Sequence, residues 1–110
     1  MDYEIKPSDL YSRLMADEQS YLVDLRDQDV YYEGHIPGAL NIPSTRAQFG
    51  GSALMPDDGL IILYDEGPDR GAAEDTRKLL VEKGLQVQVL AGGYAAWIAA
   101  GYPVEKEPSG

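Results

Sequence analysis

The chain contains no cysteine. That excludes disulfides, thiolate metal sites and every mechanism built on a cysteine nucleophile or a persulfide. Histidine is nearly absent as well, with His35 standing alone, so no histidine cluster can hold a metal and no cofactor is expected. Positive charge is scarce: nine Lys and Arg face nineteen Asp and Glu, for a formal net charge of −10. Such a balance repels phosphate backbones and anionic headgroups, so neither nucleic acid nor a membrane surface is an expected partner. No apolar run approaches the ~20 residues of a membrane helix; Leu60-Ile61-Ile62-Leu63-Tyr64 covers five and reads as a buried strand. The start, Met1-Asp2-Tyr3-Glu4, lacks the basic and apolar stretches of a signal peptide, which makes a cytoplasmic location the expectation. Phosphate-binding Gly-x-x-x-x-Gly-Lys, dinucleotide-binding Gly-x-Gly-x-x-Gly and the Gly-x-Ser-x-Gly elbow are all missing.

What is present fits one α/β domain. The chain has 110 residues, 44% hydrophobic and 25% charged, enough for one real core. We expect a domain over residues 1–104 and a polar, frayed tail over 105–110. Strand-like and helix-like stretches alternate at short intervals, the pattern of βαβ units on a parallel sheet. Pro7 marks a helix start, with Leu10, Tyr11, Leu14 and Met15 at helical spacing. Strands are expected at Tyr21–Leu25, Ala39–Ile42, Leu60–Tyr64 and Gln86–Leu90. The clearest helix runs from about Arg70 to Lys83, its inner face formed by Ala72, Ala73, Thr76, Leu79 and Leu80, and its outer face carrying an i,i+4 pair of Glu74 with Lys78. A last helix follows Gly92-Gly93, with Trp97 in the core. Of the adjacent pair Tyr31 and Tyr32, only one can face inward. Phe49 to Ala53 reads as a mobile loop.

Ligands of open parallel sheets bind beyond the carboxyl ends of the strands. That places the candidate loop after Tyr64: Asp65, Glu66, Gly67, Pro68, Asp69 and Arg70. Asp24 is the only charge within its apolar run, and a buried carboxylate must be paired.

Three passages resemble the rhodanese-like superfamily, which includes thiosulfate sulfurtransferases and related dual-specificity phosphatases. They are Leu22-Val23-Asp24-Leu25-Arg26; Gly34-His35-Ile36-Pro37-Gly38-Ala39; and Gly92-Gly93-Tyr94-Ala95-Ala96-Trp97 with Gly101-Tyr102-Pro103-Val104. The resemblance spans essentially the whole chain. It implies a central five-stranded parallel sheet of order 1-5-4-2-3 with helices on both faces, and it places Asp24 and Arg26 near the active-loop edge. With His35, which orders its turn, they are expected to brace the loops.

The family's active loop reads cysteine, four residues, arginine. Here that spacing holds Asp65 and Arg70, so the nucleophile position carries a carboxylate, and Gly71 replaces the usual serine or threonine. A carboxylate cannot hold a sulfane sulfur, and no phosphocysteine can form. Successive N–H groups and a helix N-terminus make an anion site in such a loop. Asp65 is expected to fill it from within, accepting at least two amides from residues 66 to 71, which favours its ionised form. With Glu66 and Asp69 at the mouth, the site should reject small anions.

Three roles stay open for Asp65: a self-satisfied structural loop, a nucleophile or general base acting with Arg70, or recognition of a cationic or neutral partner. The resulting reading is a non-catalytic binding or regulatory module without sulfurtransferase activity. It would act on an unidentified protein or small molecule as a monomer or weak homodimer. The alternative is an enzyme of altered chemistry using Asp65 and Arg70; a weaker third is a chain whose partner supplies the thiol.

Overall fold

The computed structural model describes residues 3–18, 20–49, 55, 58–67 and 71–106. Ten elements alternate along them: β1 (Glu4–Ile5), α1 (Pro7–Met15), β2 (Tyr21–Asp24), α2 (Gln28–Glu33), β3 (Leu40–Asn41), α3 (Ser44–Gln48), β4 (Leu60–Tyr64), α4 (Gly71–Glu82), β5 (Gln86–Leu90) and α5 (Gly93–Ala99). All strand pairs are parallel, in the order β1-β5-β4-β2-β3. The architecture is the α/β sheet that the resemblance implied.

Strand β4 shows why its sequence is apolar throughout. Successive side chains of a strand point to opposite faces, and a parallel sheet is covered on both. Ile61 and Leu63 pack with Ala47 of α3 and with Ala73 and Leu80 of α4. Ile62 and Tyr64 pack with Leu10 of α1, Tyr31 of α2 and Trp97 of α5. Trp97 is fully buried, and its indole N–H donates to the Pro103 carbonyl at 2.8 Å. Tyr31 faces inward and its neighbour Tyr32 outward.

Several details differ from the sequence expectation. Met15 is exposed: at ~100° per residue it lies about 140° around the helix from Leu10. Leu79 is likewise outside the inner face, about 120° from Ala73 by the same geometry. Glu74 pairs with Arg77 at 3.2 Å rather than with Lys78. The Arg77 guanidinium lies 3.7 Å over the Tyr3 ring, which holds it in place to meet Glu74. Glu105, assigned above to the tail, exchanges both backbone hydrogen bonds with His35 at 2.8 Å. Of the expected mobile loop, residues 50–53 lie outside the described residues.

Candidate functional site

Two carboxylates mark the C-terminal ends of adjacent strands. Asp24 closes β2, opposite Tyr64 in register, and Asp65 follows β4 directly.

Asp24 has no solvent exposure and is surrounded by donors. Arg26 Nε donates to both its oxygens at 3.0 and 3.1 Å, Arg26 Nη2 to Oδ2 at 2.7 Å, and the Arg26 backbone N–H to Oδ1 at 2.8 Å. The Tyr64 hydroxyl donates to Oδ2 at 2.7 Å and accepts the Ile36 N–H at 3.1 Å. Arg26 is itself buried, and its Nη2 also reaches the Gly34 carbonyl at 2.6 Å while Nη1 reaches Glu66 Oε2 at 3.2 Å. Its guanidinium sits 4.0 Å over the Tyr94 ring and 5.6 Å from that of Tyr64.

Burial works against the charge on Arg26, but the hydrogen bonds and charge of Asp24, helped by Tyr64 and Glu66, outweigh it and hold the pKa above its usual value. Burial, then the nearby Asp24 charge, push Tyr64 well up, so it stays a neutral donor. Tyr94 is raised too, chiefly by burial. Charges this deep persist only when paired and fully hydrogen-bonded.

The neighbouring turns are tied to this network. Asn41 Nδ2 donates to the carbonyls of Asp24 at 3.1 Å and Arg26 at 2.8 Å. His35 is buried, with Nδ1 3.1 Å from the Tyr31 carbonyl and its ring stacked on Tyr31 at 4.0 Å between centroids. Its Nε2 lies 4.0 Å from Glu105 Oε1, which also accepts the Gly38 N–H at 3.2 Å. Gly34 lies close under the Tyr94 side chain: a Cβ there would come within 2.8 Å of the Tyr94 hydroxyl, which would have to shift.

Asp65 is 8% exposed, and its Oδ2 accepts the Ala73 N–H at 3.2 Å. Ala73 is the third residue of α4, whose first-turn amides have no carbonyl partner within the helix. A carboxylate is favoured at that positive end. This donor lies beyond the expected window of residues 66 to 71, because the orphan amides of α4 extend past Gly71. Pro68, Asp69 and Arg70 lie outside the described residues. The backbone of the loop is fixed from the other side. Asp65 O accepts the Tyr94 N–H at 2.8 Å, and Glu66 O accepts the Ala95 N–H at 2.9 Å. Gly93, at φ +64°, makes this docking possible, since a Cβ there would stand 2.8 Å from Asp65 O and 2.9 Å from Gly67 O.

A recess of about 500 Å³ opens beside the loop, lined by Arg26, Asp27, Val30, Asp65 and Glu66. A second, of about 250 Å³, shares Arg26, Val30 and Glu66 and adds Glu33, Gly34 and Tyr94. A slightly larger hollow of about 560 Å³ lies by β1 and α1 and includes no residue of this site. Among the described residues no group of three acidic or histidine side chains could hold a metal. Sequence reasoning singled out Asp24, Arg26, His35 and the loop. It missed Tyr64 and Tyr94, read only as strand and helix residues, and the close approach of Gly93 to the loop backbone. Tyrosines ending a strand and opening a helix next to a loop were the available signal.

Residues 6–100 match the rhodanese-like domain family. Among curated relatives, an HTH-type transcriptional regulator of Mycobacterium tuberculosis is 34% identical, over 93% of this chain and 44% of that protein. A thiosulfate sulfurtransferase of Vibrio cholerae is 30% identical, over 84% of this chain and 85% of that one. The chain spans less than half the length of several curated relatives it matches. Among solved structures, the rhodanese-like domain of an Anabaena protein superposes with a TM-score of 0.80 at 31% identity, over all of this chain and 87% of that one. A Bacillus halodurans protein gives 0.86 at 29%, over 96% and 77%. The chain belongs to the rhodanese-like domain family, and it contains no cysteine.

Proposed function

We propose that this domain is a non-catalytic rhodanese-like module that binds a protein or small molecule through its loop site and transfers no sulfur. One observation carries the reading: where the family's loop pattern calls for cysteine, the buried Asp65 carboxylate is seated on the Ala73 amide of α4. An acceptor of sulfane sulfur must be a thiolate, and this chain can supply none. A carboxylate held by the positive end of a helix is also a weakened nucleophile. The similarity to a transcriptional regulator supports a binding role by analogy. Capture by the immobilised domain, run beside Asp65→Ala, separates module from enzyme. A module retains its ligand unchanged and loses it with the substitution. Conversion of a retained compound by the unsubstituted domain alone would instead establish altered chemistry at Asp65.

A further inference from the structure

We propose that His35 and Glu105 form a pH-sensitive latch, which draws the segment after α5 onto the turn between α2 and β3 when the imidazole takes up a proton. The two ends already meet through backbone. The His35 N–H donates to the Glu105 carbonyl and the Glu105 N–H to that of His35, both at 2.8 Å. The Glu105 side chain, 59% exposed, takes a further hold on the same turn by accepting the Gly38 N–H at 3.2 Å. Its Oε1 stops 4.0 Å from Nε2 of the buried imidazole. That gap is longer than a hydrogen bond, and a movement of about 1 Å by an exposed side chain closes it.

The hydrogen bonds decide which ring nitrogen titrates. Nδ1 lies 3.1 Å from the Tyr31 carbonyl, which can only accept, so Nδ1 carries a hydrogen in either charge state. Nε2 is then the nitrogen that gains or loses a proton, and imidazole is the side chain that changes charge between about pH 5 and 8. Unprotonated, Nε2 turns a lone pair toward the carboxylate, and nothing draws the two together. Protonated, it presents an N–H to an anion, and both ring hydrogens have acceptors, as a charge held so deep requires. Tyr31 of α2 stacks on the ring at 4.0 Å between centroids, a face that favours a cation, while its hydroxyl is held by the Ala39 carbonyl. From β4, Tyr64 meets the next residue, Ile36, through a hydroxyl that stays neutral. From the loop after β2, Arg26 reaches the Gly34 carbonyl, its charge balanced by Asp24 and Glu66. Glu33 and Lys106, of opposite sign, are both exposed. The latch is therefore closed on the acid side and open on the alkaline side. It adjoins the loop site through Gly34, whose carbonyl ties the turn to Arg26, but it stands whatever that site binds.

The test follows hydrogen exchange at the His35, Gly38 and Glu105 amides by NMR at about pH 5 and about pH 8, corrected for the intrinsic pH dependence of exchange. Protection at the Glu105 amide should be about fivefold greater at the acid pH, the strength of one partly exposed ion pair. The gain should track protonation of the ring of His35, the one histidine in the chain. Glu105→Gln, at an exposed side chain, keeps the backbone pair and an acceptor for Gly38 but cannot pair with a cation, and should lose the difference. His35→Asn keeps a donor for the Tyr31 carbonyl without a titratable ring, and should lose it too; where that buried substitution does not fold, Glu105→Gln decides alone. Equal protection at both pH values in the wild type, a difference that survives in Glu105→Gln, or a ring that stays unprotonated at the acid pH would overturn the proposal. None of those outcomes bears on what the loop site binds or whether the domain transfers sulfur, so the two readings fail separately.

Discussion

Asp24 and Asp65 stand at the ends of neighbouring strands of one sheet, and both are buried, yet their described donors differ. Asp24 takes most of its donors from side chains, the Arg26 fork and the Tyr64 hydroxyl, and one from the Arg26 backbone N–H. Asp65 takes its described hydrogen bond from backbone, the Ala73 amide in the first turn of α4. The first arrangement is a closed ion pair that fixes the ends of β2 and β4 and the turn at Gly34. The second replaces an atom: a carboxylate occupies the loop position where the family pattern has sulfur. The family's sheet framework is thus present in a chain without cysteine, because the framework rests on residues other than the nucleophile.

Breaking the Asp24 side should have the largest effect. Asp24→Ala leaves Arg26 buried without its main partner, and should cost about 3–5 kcal/mol, read as a lowered urea midpoint. Tyr64→Phe removes one donor to a buried carboxylate and should cost about 1.5–3 kcal/mol. The raised pKa of Tyr64 also sets a pH dependence. In the unfolded chain a tyrosine ionises near ~10, while the folded one resists. Its contribution is thus complete below that value and is lost as pH rises beyond it. Chemical denaturation between neutral and strongly alkaline pH should show this decline in the wild type, and a smaller one in Tyr64→Phe.

The Asp65 side should be less sensitive. Asp65→Asn keeps an oxygen for Ala73 but loses its charge at the helix end, and should cost about 1–2 kcal/mol at neutral pH. A cost above that of Tyr64→Phe would invert the comparison and make the loop the mainstay of the site. Smallest of all should be Glu66→Gln. The Glu66 side chain is 65% exposed and its ion pair with Arg26 is open to solvent on that side, so the stability change should stay below about 1 kcal/mol.

The residues that declared themselves in sequence did so for local reasons. Strand β4 is five apolar residues in a row, α4 carries three full turns of spacing, and Asp24 is one charge in an apolar run. Elements β1, α2 and α3 have two, six and five residues, too few to display a period. The Arg26 network was only half legible. Its partners Gly34, Tyr64, Glu66 and Tyr94 come from four separate places in the chain, brought together by the parallel crossovers. The Ala73 donor to Asp65 was not legible, because a helix start positions its amides through geometry that the loop sequence does not display; donors from residues 68 to 70 lie outside the described residues.

The proposal that a carboxylate in the sulfur position ends the inherited chemistry has a direct assay. The wild-type domain is incubated with thiosulfate labelled in its sulfane sulfur, and cyanide is then added. A domain that transfers no sulfur leaves unlabelled protein of unchanged mass and no thiocyanate above the protein-free background. Labelled protein, or thiocyanate formed in proportion to the amount of purified domain, would contradict the proposal.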